Sequence, residues 1–180
     1  MPPEKLPGGP TQDEIMAVSL FKLCLAGSDT VLEIGCGTGK VSVAMAKTAK
    51  KVYSLDKRPD AIAVATKTAR DAGVQNIEFS CADARDFLKR DRVYDCAFLG
   101  GTKDLPAILP VLAKQVKRTI VINAVMVGTL ERAVTVLKEL GLFTEVVQVQ
   151  VSRSHDIAGS IMFKPIDPVY IIVGRGAACS

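Results

Sequence analysis

The chain has 180 residues, of which 48% are hydrophobic, with a formal net charge of +4 at pH 7 and a mean hydropathy of +0.26. That is enough apolar material for one domain around a single substantial core. No apolar run is long enough to span a membrane, and the proline-rich start lacks the apolar stretch of a secretion signal. The five cysteines form no C-x-x-C pair and His155 is the single histidine, so no metal site is expected and a reduced, cytoplasmic setting is. Lys and Arg are scattered, and an aromatic content of 5% offers few faces for stacking bases, so no nucleic-acid partner is expected.

Residues 1–10, rich in proline and glycine, read as a flexible arm, and 11–180 as one domain. Thr11-Gln-Asp-Glu14 has the form of a capping box, with Thr11 as cap and Glu14 reaching back. It predicts a helix through about Leu25, with Ile15, Val18, Leu20, Phe21 and Leu25 on its apolar face. Val31, Leu32 and Ile34 then form a buried strand ending at Gly35, followed by glycines at alternate positions, Gly35, Gly37 and Gly39. Such a glycine turn between strand and helix is how an open α/β sheet holds a nucleotide-like ligand. Lys40 stands where a dinucleotide fingerprint has its third glycine. Val41 stands where a phosphate-binding loop has Ser or Thr. What remains is G-x-G-x-G preceded by an acid, Glu33.

A second strand, Lys51 to Asp56, ends in a carboxylate placed to accept both hydroxyls of a ribose. A third, Asn76 to Cys81, leads into Asp83 and Ala84. A fourth, Tyr94 to Leu99, runs into Gly100, Gly101 and Thr102, and a fifth covers Arg118 to Asn123. Helices are expected near 40–49, 60–72, 104–115 and 129–140, with Gly73 and Gly141 as stops. Glu145 to Val151 and Pro168 to Gly174 read as two more strands with no helix between them, and so as an antiparallel pair. Cys36 inside the glycine loop reads as a small residue filling a tight turn.

The glycine loop, Glu33 and Asp56 resemble the first motifs of class I S-adenosylmethionine-dependent methyltransferases, whose ligand carries no phosphate. The resemblance implies a three-layer, Rossmann-like α/β fold with a seven-stranded, mostly parallel sheet and an antiparallel C-terminal strand. Pro10 to Glu14, Phe98-Leu-Gly-Gly101, Ile122-Asn-Ala-Val125, Val149 to Arg153 and Asp167 to Ile172 are similar to the CbiT family. That family comprises the decarboxylating cobalt-precorrin C15-methyltransferases of anaerobic cobalamin biosynthesis, and the likeness runs from about Pro7 to Gly174.

The family resemblance implies S-adenosylmethionine as methyl donor, held by Thr11, Gly35, Cys36, Gly37, Thr38, Gly39 and Asp56, with Asp83 and Ala84 at the adenine. It implies C-methylation of a tetrapyrrole at C15 with loss of the C12 acetate carboxyl, and a homotetramer. A ring bearing many carboxylates needs cations and close backbone. Arg153, His155, Lys103 and Lys164, with Gly100 and Gly101, are the candidates. The chain departs from the family pattern at Met16, Ala44, Thr102 to Asp104 and Asp167. A nucleic-acid methyltransferase and a non-catalytic binding module are the alternatives. The Asn/Asp-Pro-Pro-aromatic turn of many N-methylating enzymes is absent after strand four, which counts against the first.

Overall fold

The computed structural model describes residues 11–178; the expected arm at 1–10 and Cys179 lie outside them. In chain order the elements are α1 (Asp13–Leu23), β1 (Thr30–Ile34), α2 (Lys40–Ala46), β2 (Lys51–Asp56), α3 (Pro59–Asp71), β3 (Ile77–Cys81) and α4 (Ala84–Leu88). They continue with β4 (Tyr94–Leu99), α5 (Leu105–Gln115), β5 (Val116–Ala124), α6 (Val127–Glu139), β6 (Phe143–Val149), β7 (Ser152–Ile157), β8 (Ser160–Pro165) and β9 (Val169–Arg175). The seven-stranded sheet has the order β3-β2-β1-β4-β5-β9-β6, and β9 runs antiparallel to both neighbours. This is the expected fold, including the antiparallel pairing of the last two sheet strands.

The central strands are apolar at consecutive positions because both of their faces are covered. Neighbours in the chain divide between the two cores. Leu32, Ala97, Leu99 and Ile120 join Leu109 and Leu112 of α5 and Leu137 of α6. Val31, Cys96, Phe98 and Val121 join Ile15 and Leu23 of α1 and Val41 and Met45 of α2. The strand order reverses between β1 and β4, so the crevice at their carboxyl ends is where such a sheet binds ligands.

Four local expectations are corrected. The N-cap of α1 is Gln12, with no side-chain cap bond, and the helix stops at Leu23 with Cys24 in the left-handed region. The capping box does not form, because the helix is entered one residue later than the box requires and the Glu14 carboxylate is drawn into a tertiary contact. Lys40 Nζ donates to the Thr11 carbonyl at 3.0 Å, and Glu14 takes the Arg153 guanidinium. Helix α4, capped by Asp83 accepting from Arg85 N at 2.9 Å, falls between strands where none was foreseen. Residues 152–167 hold a β-hairpin, β7 and β8, turned at Ala158 and Gly159, both with positive φ. Positive φ at both central residues matches the right-handed twist of hairpin strands.

Candidate active site

The floor of the crevice is two turns pressed backbone to backbone. Gly100 N and Gly101 N both donate to Ile34 O, at 3.0 and 2.9 Å, and Gly35 N donates to Leu55 O at 2.7 Å. A Cβ on Gly35 would lie 2.4 Å from Gly101 N, so the first glycine and the Gly100–Gly101 turn require each other. A Cβ on Gly39 would lie 2.8 Å from Ala65 Cα, so the third glycine lets α2 pack on α3. At Gly37, among the described residues, a Cβ would meet only Arg58 Nη2, at 4.0 Å. Two of the three glycines serve the fold, and the middle one leaves space in the cleft.

Two cavities open on either side of this floor. The larger, about 570 Å³, runs from Thr11 and Ile15 past Gly35, Cys36, Gly37 and Thr38 to Asn123, Val125 and the chain after β8. The smaller, about 310 Å³, is lined by Asp56, Asp83, Ala84, Gly100, Gly101 and Lys103, among others. Every expected cofactor residue except Gly39 therefore lines one or the other. Arg153, His155 and Lys164 line neither. They belong to the exposed hairpin, where Arg153 forks onto Glu14 at 3.1 and 2.6 Å and ties β7 to the start of α1.

Asp56 is buried at the end of β2, with both oxygens occupied. Oδ1 accepts from Arg58 N at 3.1 Å and Arg58 Nε at 3.0 Å; Oδ2 accepts from Gly37 N at 3.1 Å and Arg58 Nη2 at 3.0 Å. Burial pushes its carboxyl up, and the Arg58 guanidinium with the two backbone N–H groups more than offsets this, leaving it below the usual carboxylate range. The Cys36 thiol is pushed up by burial and by the nearby Glu33 and Asp56 charges. It is no nucleophile at neutral pH, in keeping with a filler.

Glu33 lines the larger cavity while being 1% exposed, and its Oε2 accepts from the hydroxyls of Ser42 and Ser54. Burial pushes its carboxyl up to about 7, against the pull of the two serines and with a further push from Asp56. The sign follows from a folded value above the ordinary 4.5. Between 4.5 and about 7 the folded chain keeps a proton that the unfolded chain has released, so stability falls as pH rises through that window. The total is about 3 kcal/mol. Glu33→Gln is expected to flatten the urea midpoint between about pH 5 and about pH 8; an undiminished slope would place the titration elsewhere.

Arg58, Asn123, Val125 and Asp167 also line the larger cavity and were not foreseen as site residues. Asn123 and Val125 were findable, since they flank the last residue of β5, the strand beside β4 and its glycine turn. Asn123 is held by Nδ2 donating to Ser19 Oγ at 2.9 Å, and Ser19 itself donates to Ile15 O at 2.8 Å.

A seven-stranded sheet of this order, with a glycine turn after β1 and a carboxylate closing β2, defines the class I S-adenosylmethionine-dependent methyltransferase fold. A SAM-dependent O-methyltransferase from Thermotoga maritima shares it, with a TM-score of 0.76 at 14% identity over 93% of this chain and 66% of that one. Within this class the chain belongs to the precorrin methyltransferase family: the precorrin methyltransferase domain matches residues 7–174. The probable cobalt-precorrin-6B C(15)-methyltransferase (decarboxylating) of Methanosarcina acetivorans is 44% identical over 177 residues, covering 95% of this chain and 96% of that one. The crystal structure of precorrin 8w decarboxylase from Methanobacterium thermoautotrophicum matches with a TM-score of 0.90 at 26% identity, over 94% of this chain and 95% of that one. No helix among the described residues is long and apolar enough to cross a membrane.

Proposed function

We propose that this protein is a decarboxylating cobalt-precorrin C15-methyltransferase of anaerobic cobalamin biosynthesis, using S-adenosylmethionine. The observation that carries the reading is the paired cavity at the switch point, in a chain that matches the family along nearly its whole length. The residues fit the methyl donor. Asp56 is an ionised acceptor for a sugar diol, Gly37 leaves room beside it, and Asp83 and Ala84 line the far wall of the smaller cavity. When bound, S-adenosylmethionine supplies a methyl group on a sulfonium centre.

The rest is done by the chain. Gly35, Gly100 and Arg58 border both cavities, so a group held in one is presented to the other across the Gly35–Gly100 floor. Phe98, Val125 and Ile166 give the larger cavity apolar wall suited to a tetrapyrrole face. The bridge carbon of a reduced tetrapyrrole is enamine-like and already nucleophilic, so no strong base is required. Holding two reactants in line is then the main contribution.

The protein is read as a cytoplasmic homotetramer. Ile161, Met162 and Phe163 of β8 stand exposed on the hairpin, apolar surface of the kind that subunit contacts cover. Incubation with methyl-labelled cofactor and a mixture of corrin intermediates tests the activity by mass. One intermediate is expected to gain a methyl and lose carbon dioxide. Methyl transfer to RNA, or none to any corrinoid, would overturn the reading.

A further inference from the structure

Among the described residues three line both cavities, Gly35, Arg58 and Gly100, and Arg58 alone of these has a side chain. Its guanidinium lies back on Asp56, Nε on Oδ1 and Nη2 on Oδ2, both at 3.0 Å. Each carboxylate oxygen thus takes one backbone donor and one guanidinium donor. The backbone pair is fixed by the turn after β1 and the start of α3. The guanidinium pair presents two parallel donors, the same demand that two vicinal hydroxyls make on a carboxylate. The Arg58 side chain is one-third exposed, at 33%, while that of Asp56 is at 5%. The acceptor is therefore enclosed, and the fork on it is the solvent-facing side of the pair. Lys40, the other cation of the larger cavity among the described residues, is held by Asp13 at 2.7 Å and by the Thr11 carbonyl at 3.0 Å.

We propose that Arg58 is a transfer residue. Its guanidinium occupies the sugar's place on Asp56, gives it up when the diol arrives, and docks on a ligand carboxylate in the larger cavity. This rests on the reading of Asp56 as the sugar acceptor. Two sources carry the carboxylate chemistry: the amino-acid arm of the methyl donor, and the acetate and propionate groups of the tetrapyrrole. Either way, filling the smaller cavity prepares the larger one. Arg58 is then a positioning residue that couples the two sites.

The test is Arg58→Ala, which removes the fork and keeps the backbone N–H of residue 58 on Asp56. Calorimetry compares adenosine, which has the diol and no carboxylate, with S-adenosylhomocysteine, which has both. Uroporphyrin, an octacarboxylate ring, is titrated with and without saturating adenosine. Adenosine is expected to bind Arg58→Ala several-fold tighter than wild type, because no guanidinium has to be displaced. If the amino-acid arm is the acceptor, the preference for S-adenosylhomocysteine over adenosine falls by about tenfold in the variant, the ratio carried by one charge-assisted bond. If the ring is the acceptor, adenosine tightens uroporphyrin binding by about tenfold in wild type and not in the variant.

Weaker adenosine binding in Arg58→Ala, or preference and enhancement both unchanged, would overturn the proposal and leave Arg58 as a brace. Arg58→Lys, which keeps the charge without the fork, is expected to tighten adenosine binding as well, and it serves if the alanine variant folds poorly. Adenosine binding that is indifferent to Asp56→Asn fails the sugar reading itself, separately from the Arg58 result.

Discussion

Asp56→Asn is expected to weaken S-adenosylhomocysteine binding by about thirty- to a hundredfold, because a neutral amide accepts at one atom where the carboxylate accepts at two. The substitution preserves shape, but its one oxygen can keep only one of the two backbone donors, Gly37 N and Arg58 N, which sit on different carboxylate oxygens at 3.1 Å each. Asp56→Ala removes that acceptor as well. It strands both N–H groups beside a guanidinium that has lost its anion, adding a stability cost of about 1–3 kcal/mol. Asparagine strands one backbone N–H where alanine strands two, so it is the less confounded variant. A thermodynamic cycle with 2′,3′-dideoxyadenosine isolates the interaction. Wild type is expected to bind it far more weakly than adenosine, whereas Asp56→Asn should scarcely distinguish the two ligands. Equal discrimination by both proteins would mean that the diol is recognised elsewhere.

Central strands were legible because burial on both faces leaves a mark that no other element leaves. Tyr94 to Leu99 reads as an apolar run, and it is a strand with those bounds. The β7–β8 hairpin was not legible for the inverse reason. Its residues are exposed on both faces, so no alternation of polar and apolar positions was imposed on Ser152 to Pro165. Thr11 to Glu14 misled because a capping box is a local pattern, and a guanidinium 139 positions away competes for the same Glu14 carboxylate. The site divides along the same line. Gly37, Asp56, Asp83 and Ala84 carry signals in their own neighbourhood, as strand ends and turn residues. Arg58 carries none, since its meaning lies in which two cavities its side chain touches, and only the packed chain decides that.

The glycine loop gives the sharpest separation of fold from ligand. Gly35→Ala is expected to cost about 4 kcal/mol, about 1–2 for a Cβ in the left-handed region and the rest for overpacking against backbone. Its φ is +82°, and the new Cβ would stand 2.4 Å from Gly101 N and 2.6 Å from Gly101 Cα, atoms that cannot swing aside. Against a typical native stability of about 5–15 kcal/mol, that change leaves a markedly less stable protein. Gly39→Ala is expected to cost about 3 kcal/mol, because Ala65 of α3 must give way to a Cβ 2.8 Å from its Cα. Among the described residues Gly37→Ala meets nothing nearer than Arg58 Nη2 at 4.0 Å, so its φ of +52° is what weighs against it. That variant is expected to lose about 1 kcal/mol of stability and yet bind S-adenosylhomocysteine at least about tenfold more weakly, since its methyl fills space beside Asp56. Urea midpoints and calorimetric titrations on the three variants give both rankings. Stability loss should run Gly35, Gly39, Gly37, while the loss of binding per unit of lost stability should run the other way. A Gly37→Ala protein that binds like wild type would show that the middle glycine, too, serves only the turn.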